Sequence, residues 1–221
     1  MRPIALLTFL IAVSSLWAQV PQWRLLPSVN VNKKFVRDWS ANLRIESRQV
    51  LFEAPERFNY ELTDIALAGA KKLSLRTSLA VGALVRLEED ASAFRSFQQF
   101  TVVRRYGSLR ASHRFAADQT FSAVESREFR VRYRFSGERA LNGETVDPRE
   151  LFAKFNNEYL GGMQGGEFDR ELRLAAFLGY AITPSKKLEL GLENRLDGFL
   201  SDALRQRWWI GVNVFVSLRG C

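Results

Sequence analysis

The chain has 221 residues, 47% hydrophobic and 25% charged, with 32 Lys plus Arg against 24 Asp plus Glu. That balance excludes a disordered chain, and a mean hydropathy of -0.15 without a long apolar run in the mature chain excludes a helical membrane protein. The 17 Phe, 5 Trp and 5 Tyr still supply ample apolar surface for one domain, and no shift in composition marks a second.

Residues 1–18 hold Arg2, an apolar run from Ile4 to Val13 and the small Ala18. This is the pattern of a secretory signal peptide cut after Ala18, leaving residues 19–221 as the mature domain. Residues 19–37, with Trp23 and Pro27, either add strand pairing, giving eleven or twelve strands, or lie inside as a plug. Beyond them period two dominates. Residues 73–87 put Leu73, Leu75, Leu79, Val81, Val85 and Leu87 on one face and Ser74, Arg76, Ser78, Gly82 and Arg86 on the other. The split recurs at 129–135, where Arg130, Arg132 and Arg134 share a face, and at 207–217, where Trp209 and Phe215 break it. Weaker copies lie at 39–45, 109–115, 151–159, 172–180 and 188–192. Short turns at 70–72, 106–108 and 183–186 alternate with longer connectors at 49–58, 119–126, 161–168 and 198–204.

Strands of about ten to fifteen residues exceed the usual five or six of globular sheets and suit a transmembrane strand. The pattern predicts an all-β, closed antiparallel transmembrane β-barrel of about ten strands, with twelve as the alternative. An even count brings both ends of the chain to one side. The competing reading is a soluble periplasmic ligand-binding barrel, whose apolar side chains would face inward.

Of the basic residues 25 are Arg and 7 are Lys, and six of the lysines form adjacent pairs at turns. The arginines fall within strands, on the polar face, with acids beside them. Guanidinium forks bind carboxylates at two points and suit a confined interior. The predicted lumen network is Arg44, Glu46, Arg48, Arg76, Arg110, Arg114, Asp118, Arg130, Arg132, Arg134, Glu158, Arg173, Glu189, Glu193 and Arg195. It either attracts small anions or fills and locks a narrow barrel. With the arginines inside there is no basic groove for nucleic acid.

The single His113 falls by alternation with Leu109, Ala111 and Phe115 on the apolar face, away from Ser112. A lipid-acting enzyme built on it would need a Ser from a neighbouring strand. The one cysteine, Cys221, forms no intramolecular disulfide. No catalytic constellation, metal site or cofactor motif is read. Trp39, Tyr60, Phe94, Tyr133, Tyr159, Tyr180, Trp208 and Trp209 are candidates for interfacial aromatic girdles.

The segments at 113–119 (HRFAADQ), 129–135 (FRVRYRF) and 155–159 (FNNEY) resemble the bacterial family called domain of unknown function 2490. The resemblance covers nearly the whole mature chain. It implies an exported, arginine-rich barrel of ten to twelve strands and carries no activity. Together these readings describe a monomeric protein of the bacterial outer membrane, a narrow or plugged channel or a structural barrel, with outer-membrane lipid, lipopolysaccharide and small anions as partners.

Overall fold

The computed structural model describes residues 22–53, 56–89, 91–123, 125–199 and 204–218. The predicted leader, residues 1–18, and Cys221 lie outside the described residues. Period-two patterning becomes eleven strands: β1 (Gln22–Lys34), β2 (Trp39–Glu53), β3 (Glu56–Lys72), β4 (Thr77–Glu88), β5 (Ser92–Tyr106), β6 (Leu109–Ser122), β7 (Glu128–Ala140), β8 (Leu151–Gln164), β9 (Glu167–Thr183), β10 (Lys186–Asp197) and β11 (Arg205–Leu218). Each pairs with the next, and β1 meets β11 to close a barrel.

The count is eleven, one more than the ten expected, because residues 22–34 take the first of the two courses expected for this segment, strand pairing in the wall, and do not form a plug. An odd number of alternating strands makes the last run the same way as the first. The closing pair β1·β11 is therefore parallel, with Trp23 opposite Trp208 and Val31 opposite Val216, while the other ten pairs are antiparallel. β1 begins at one rim, here the N-terminal rim, and β11 finishes at the other, the C-terminal rim. The expectation that both ends share one side is overturned. The β1–β2 register holds across Pro27, from Leu25 opposite Gln49 to Ser28 opposite Glu46, although that residue has no N–H to donate, and its one shift lies between Trp23 and Arg24.

The expected alternation of short and long connectors also fails, because strands run on into several expected loops. The connector placed at 161–168 shrinks to Gly165 and Gly166, whose φ values of 59° and 89° meet the demand of a two-residue type I′ turn for two left-handed residues. In the other direction, Leu73 to Arg76 leave β4. They form an exposed turn in which Leu73 N donates to Thr77 O at 2.9 Å and the Thr77 N–H reaches Ser74 Oγ at 3.1 Å. The greasy face therefore begins at Leu79, and Leu75 is 92% exposed.

The polar face of every strand points into the barrel and the apolar face points out. Among the described residues 38 large hydrophobics are exposed and 12 hydrophobics are buried, the inverse of a soluble core. Four glycines face a phenylalanine directly across the ladder: Gly82–Phe97, Gly137–Phe155, Gly179–Phe152 and Gly191–Phe177. In each the ring lies over the space a Cβ would need. Gly191 is the tightest, since its Cβ would also meet the Ala176 carbonyl oxygen and, at 2.7 Å, Phe177 Cα, which are backbone atoms.

Gly191→Ala is accordingly expected to lower the unfolding free energy by about 1–3 kcal/mol through forced separation of β9 and β10. Gly69→Ala, with nothing within 4 Å of its Cβ position, is expected to stay within about 0.5 kcal/mol of the parent. Urea unfolding in detergent, read by heat-shifted gel mobility, checks the pair.

Candidate functional site

Register builds the interior. Once the outer face is apolar, inward positions on adjacent strands fall opposite one another, and acid meets base across the ladder. Glu158 on β8 stands opposite Arg134 on β7 and Arg173 on β9. Arg134 donates to it through Nε at 3.1 Å and Nη2 at 2.9 Å, Arg173 Nη1 lies at 3.5 Å and Arg132 Nη1 at 4.0 Å. Asp118 stands opposite Arg130, 3.6 Å away, and takes a 2.7 Å bond from Arg132. Asp64 stands opposite Arg86, which grips it with Nε at 2.8 Å and Nη2 at 3.0 Å, and Arg48 approaches at 3.4 Å. Glu46, opposite Asp64, is paired with Arg44 and with Arg48 at 3.6 Å. Smaller pairs complete the ring: Glu189 with Lys154 at 2.9 Å, Glu193 with Arg195 at 2.6 Å, Glu171 with Arg173 at 2.7 Å.

The acids are short and stay at the wall, whereas the arginine arms reach over them. Asp118, Glu158 and Glu189 side chains are 0–3% exposed, whereas their arginine and lysine partners keep 15–24%. The cavity the barrel encloses, about 680 Å³, is consequently lined by twelve arginines and Lys154 against six carboxylates. Arg114 is distinct within this set. It faces Arg134 and Thr101 across the ladder and makes no ion pair with any carboxylate among the described residues.

The cavity has two different ends. On β1 to β4 the wall toward the C-terminal rim is neutral and small, with Asn30, Asn32, Ser40, Asn42, Ala66, Ala68, Ala70, Ser78 and Ala80. Toward the N-terminal rim the buried Leu26, Val50 and Leu62 replace them. There the fully buried Trp209 lies inside, with the Arg195 guanidinium 4.3 Å, Arg24 5.4 Å and Arg48 5.8 Å from its ring centroid. Arg24 in turn holds Glu61 at 2.5 Å.

Of the residues singled out in the sequence, Arg44, Glu46, Arg48, Arg114, Asp118, Arg130, Arg132, Arg134, Glu158, Arg173, Glu189, Glu193 and Arg195 all point inward. Arg110 is exposed at the C-terminal rim, opposite Arg105 and Glu138. Arg76 is outside the network altogether, exposed in the β3–β4 turn, because β4 starts one residue later. Trp209 is withdrawn from the aromatic girdle: it is inside. Sequence reasoning missed Arg24, Asp64, Arg95 and Lys154 and misread Trp209, although the break in alternation at Trp209 was itself the signal of an inward aromatic. His113 points outward, its Nδ1 2.9 Å from the Tyr133 hydroxyl and its ring 5.1 Å from Phe135, an aromatic contact without a nucleophile. Among the described residues no group of three His, Cys, Asp or Glu side chains could hold a metal ion.

Removing one carboxylate strands several guanidinium groups at once. Glu158→Gln is expected to cost about 3 kcal/mol, as for other broken buried pairs. Adding Arg134→Met is expected to recover part of it, since the two sites share one network. Urea titration in detergent of the single and double variants reads the coupling.

No curated protein and no solved structure matches the chain. A family model does, over residues 23–201, which span β1 to β10 and so every carboxylate of the interior network. The inward strand 129–135 and the acid-bearing strand 155–159 that carried the resemblance in the sequence lie inside that match, and the chain belongs to the family described as protein of unknown function (DUF2490).

Proposed function

We propose that this chain is a bacterial outer-membrane β-barrel, exported by the leader at residues 1–18, that spans the bilayer as a monomer and holds or passes small anions through a narrow interior. The membrane reading is supported by the inverted surface. A soluble cup needs its apolar side chains inside, whereas here 38 large hydrophobics are exposed. At about 3.3 Å per residue and a tilt near 45°, strands of 12 to 17 residues rise roughly 28 to 40 Å, enough for an apolar band of about 25 Å and its polar edges.

The observation that carries the anion preference is the surface the cavity presents, thirteen cationic side chains and six carboxylates with Asp118, Glu158 and Glu189 buried behind their partners, together with Arg114, which is outside any ion pair among the described residues. A cationic, low-dielectric passage concentrates anions and repels cations. Eleven strands are closer to the eight that side chains fill than to the sixteen of an open porin, and Trp209 narrows the interior further. The lipid-acting alternative would rest on His113, whose hydrogen-bond partner is a tyrosine.

Planar-bilayer recording of the refolded mature chain, residues 19–221, tests the reading. Anion-selective conductance steps are expected. Arg114→Gln is expected to reduce the anion-to-cation permeability ratio two- to five-fold, by loss of one uncompensated charge, and Trp209→Ala to raise single-channel conductance. Cation selectivity, or a barrel equally silent in the parent and in Trp209→Ala, defeats the anion passage. Recovery of the mature chain in the soluble fraction without detergent defeats the membrane.

A further inference from the structure

The outward face holds a charge pattern that the interior does not explain. Among outward strand positions with described side chains, the charged residues are Lys33, Lys71, Arg104, Arg139, Lys186 and Arg170, and all six are cations. Five of them, all but Arg170, lie within three residues of a strand terminus at one rim, the C-terminal rim, at the ends of β1, β3, β5 and β7 and the start of β10. All five are exposed, and none forms an ion pair with a described residue. Two are held against aromatic rings at the same level, Lys33 Nζ 5.5 Å from the Phe35 ring and Lys71 Nζ 5.5 Å from that of Trp39. The opposite rim is different: its strand ends and turns carry Glu88, Glu89, Glu125, Glu167 and Asp169, with Arg127, Arg170 and Arg205 as the exposed cations. The acids of the C-terminal rim are Glu138, inward on β7 and 3.9 Å from Lys187, and those on turns, Asp38 and the 141–150 connector. There Glu150 is already engaged, accepting from Asn142 Nδ2 at 3.0 Å and from the Asp147 N–H at 3.2 Å.

We propose that these five cations form a collar at the C-terminal rim that binds the phosphates of anionic phospholipids in one bilayer leaflet. The inference rests on the membrane reading above and adds a partner and an orientation. Outward placement puts each charge beyond the apolar band and beside an aromatic belt, the level at which lipid headgroups lie and at which long basic side chains settle. Anionic headgroups attract such residues, and the effect accumulates over a set of them. The spacing selects the ligand. Neighbouring strands lie about 4.8 Å apart, so collar residues two or three strands apart are separated by roughly 10–15 Å. That suits separate single-phosphate headgroups distributed round the wall.

The mature chain is reconstituted in vesicles of phosphatidylcholine, alone or mixed with an equal amount of phosphatidylglycerol, and the relative affinity for spin-labelled phosphatidylglycerol over phosphatidylcholine is read by electron paramagnetic resonance. A several-fold preference that weakens with salt is expected. It should vanish in the variant carrying K33Q, K71Q, R104Q, R139Q and K186Q, and persist in R170Q and in a charge-retaining variant with K33R, K71R, R104K, R139K and K186R. The charge-retaining variant guards against a folding defect. Failure to insert in either vesicle overturns the membrane reading itself. Insertion without preference overturns the collar alone, as does a preference that survives neutralisation of all five residues. Selectivity for lipopolysaccharide in place of phosphatidylglycerol overturns the choice of phospholipid.

Discussion

Acid placed directly across the ladder from arginine is the constraint on which this barrel depends. Side chains on a strand alternate with period two, so a slip of one residue between neighbours would turn every inward guanidinium outward and every outward leucine or phenylalanine inward. The pairs Glu158 with Arg134 and Arg173, Asp118 with Arg130, and Asp64 with Arg86 each mark the correct register from inside. Their chemistry explains the excess of arginine. A planar fork binds both oxygens of one carboxylate, as Arg86 does to Asp64 and Arg134 to Glu158, and is desolvated more readily than an ammonium. Lysine is left chiefly at strand ends.

Closing eleven strands imposes a second requirement. A parallel pair is slightly weaker per residue than an antiparallel one, and Pro27 removes one donor from β1. Side chains compensate on both faces of this seam. Outside, Trp23 and Trp208 stack with centroids 6.1 Å apart. Inside, Ser28 Oγ donates to Asn213 Oδ1 at 2.6 Å, and Arg24 reaches both Trp209 and Glu61, tying β1 to β11 and to β3. The seam is thus fastened by contacts between side chains whose partners lie about 185 residues apart in the chain for Ser28 and Asn213, which no local pattern reveals.

That distinction separates what could be read from the sequence from what could not. β7 and β11 were legible because one face is nearly all apolar and the other nearly all polar. β3 and β5 were not. β3 alternates Ile65 and Leu67 with Ala66, Ala68 and Ala70, so both faces look apolar and Asp64 has no visible companions. β5 places Phe94 and Phe100 outside but Phe97 inside, over Gly82. β1 does alternate, Trp23, Leu25, Val29 and Val31 against Arg24, Ser28, Asn30 and Asn32, yet Pro27 argues against a paired strand until a closed barrel supplies one. The interior residues were reached by parity alone, which is why Arg76 was misplaced: parity assigns a face but not the point at which a strand begins.

The interior is built as a graded series rather than a uniform tube. From the C-terminal rim, small neutral residues on β1 to β4 leave space, the arginine belt follows, and Trp209 with Leu26, Val50 and Leu62 occupies the section toward the N-terminal rim. The tryptophan is compatible with three neighbouring guanidinium groups because its ring face attracts cations while adding no charge of its own. An apolar constriction of this kind opposes ion movement by excluding water as well as by filling space. The wall therefore joins a cationic section to an apolar one along a single axis, and the same tryptophan that closes the narrow section anchors the guanidinium groups of the wide one.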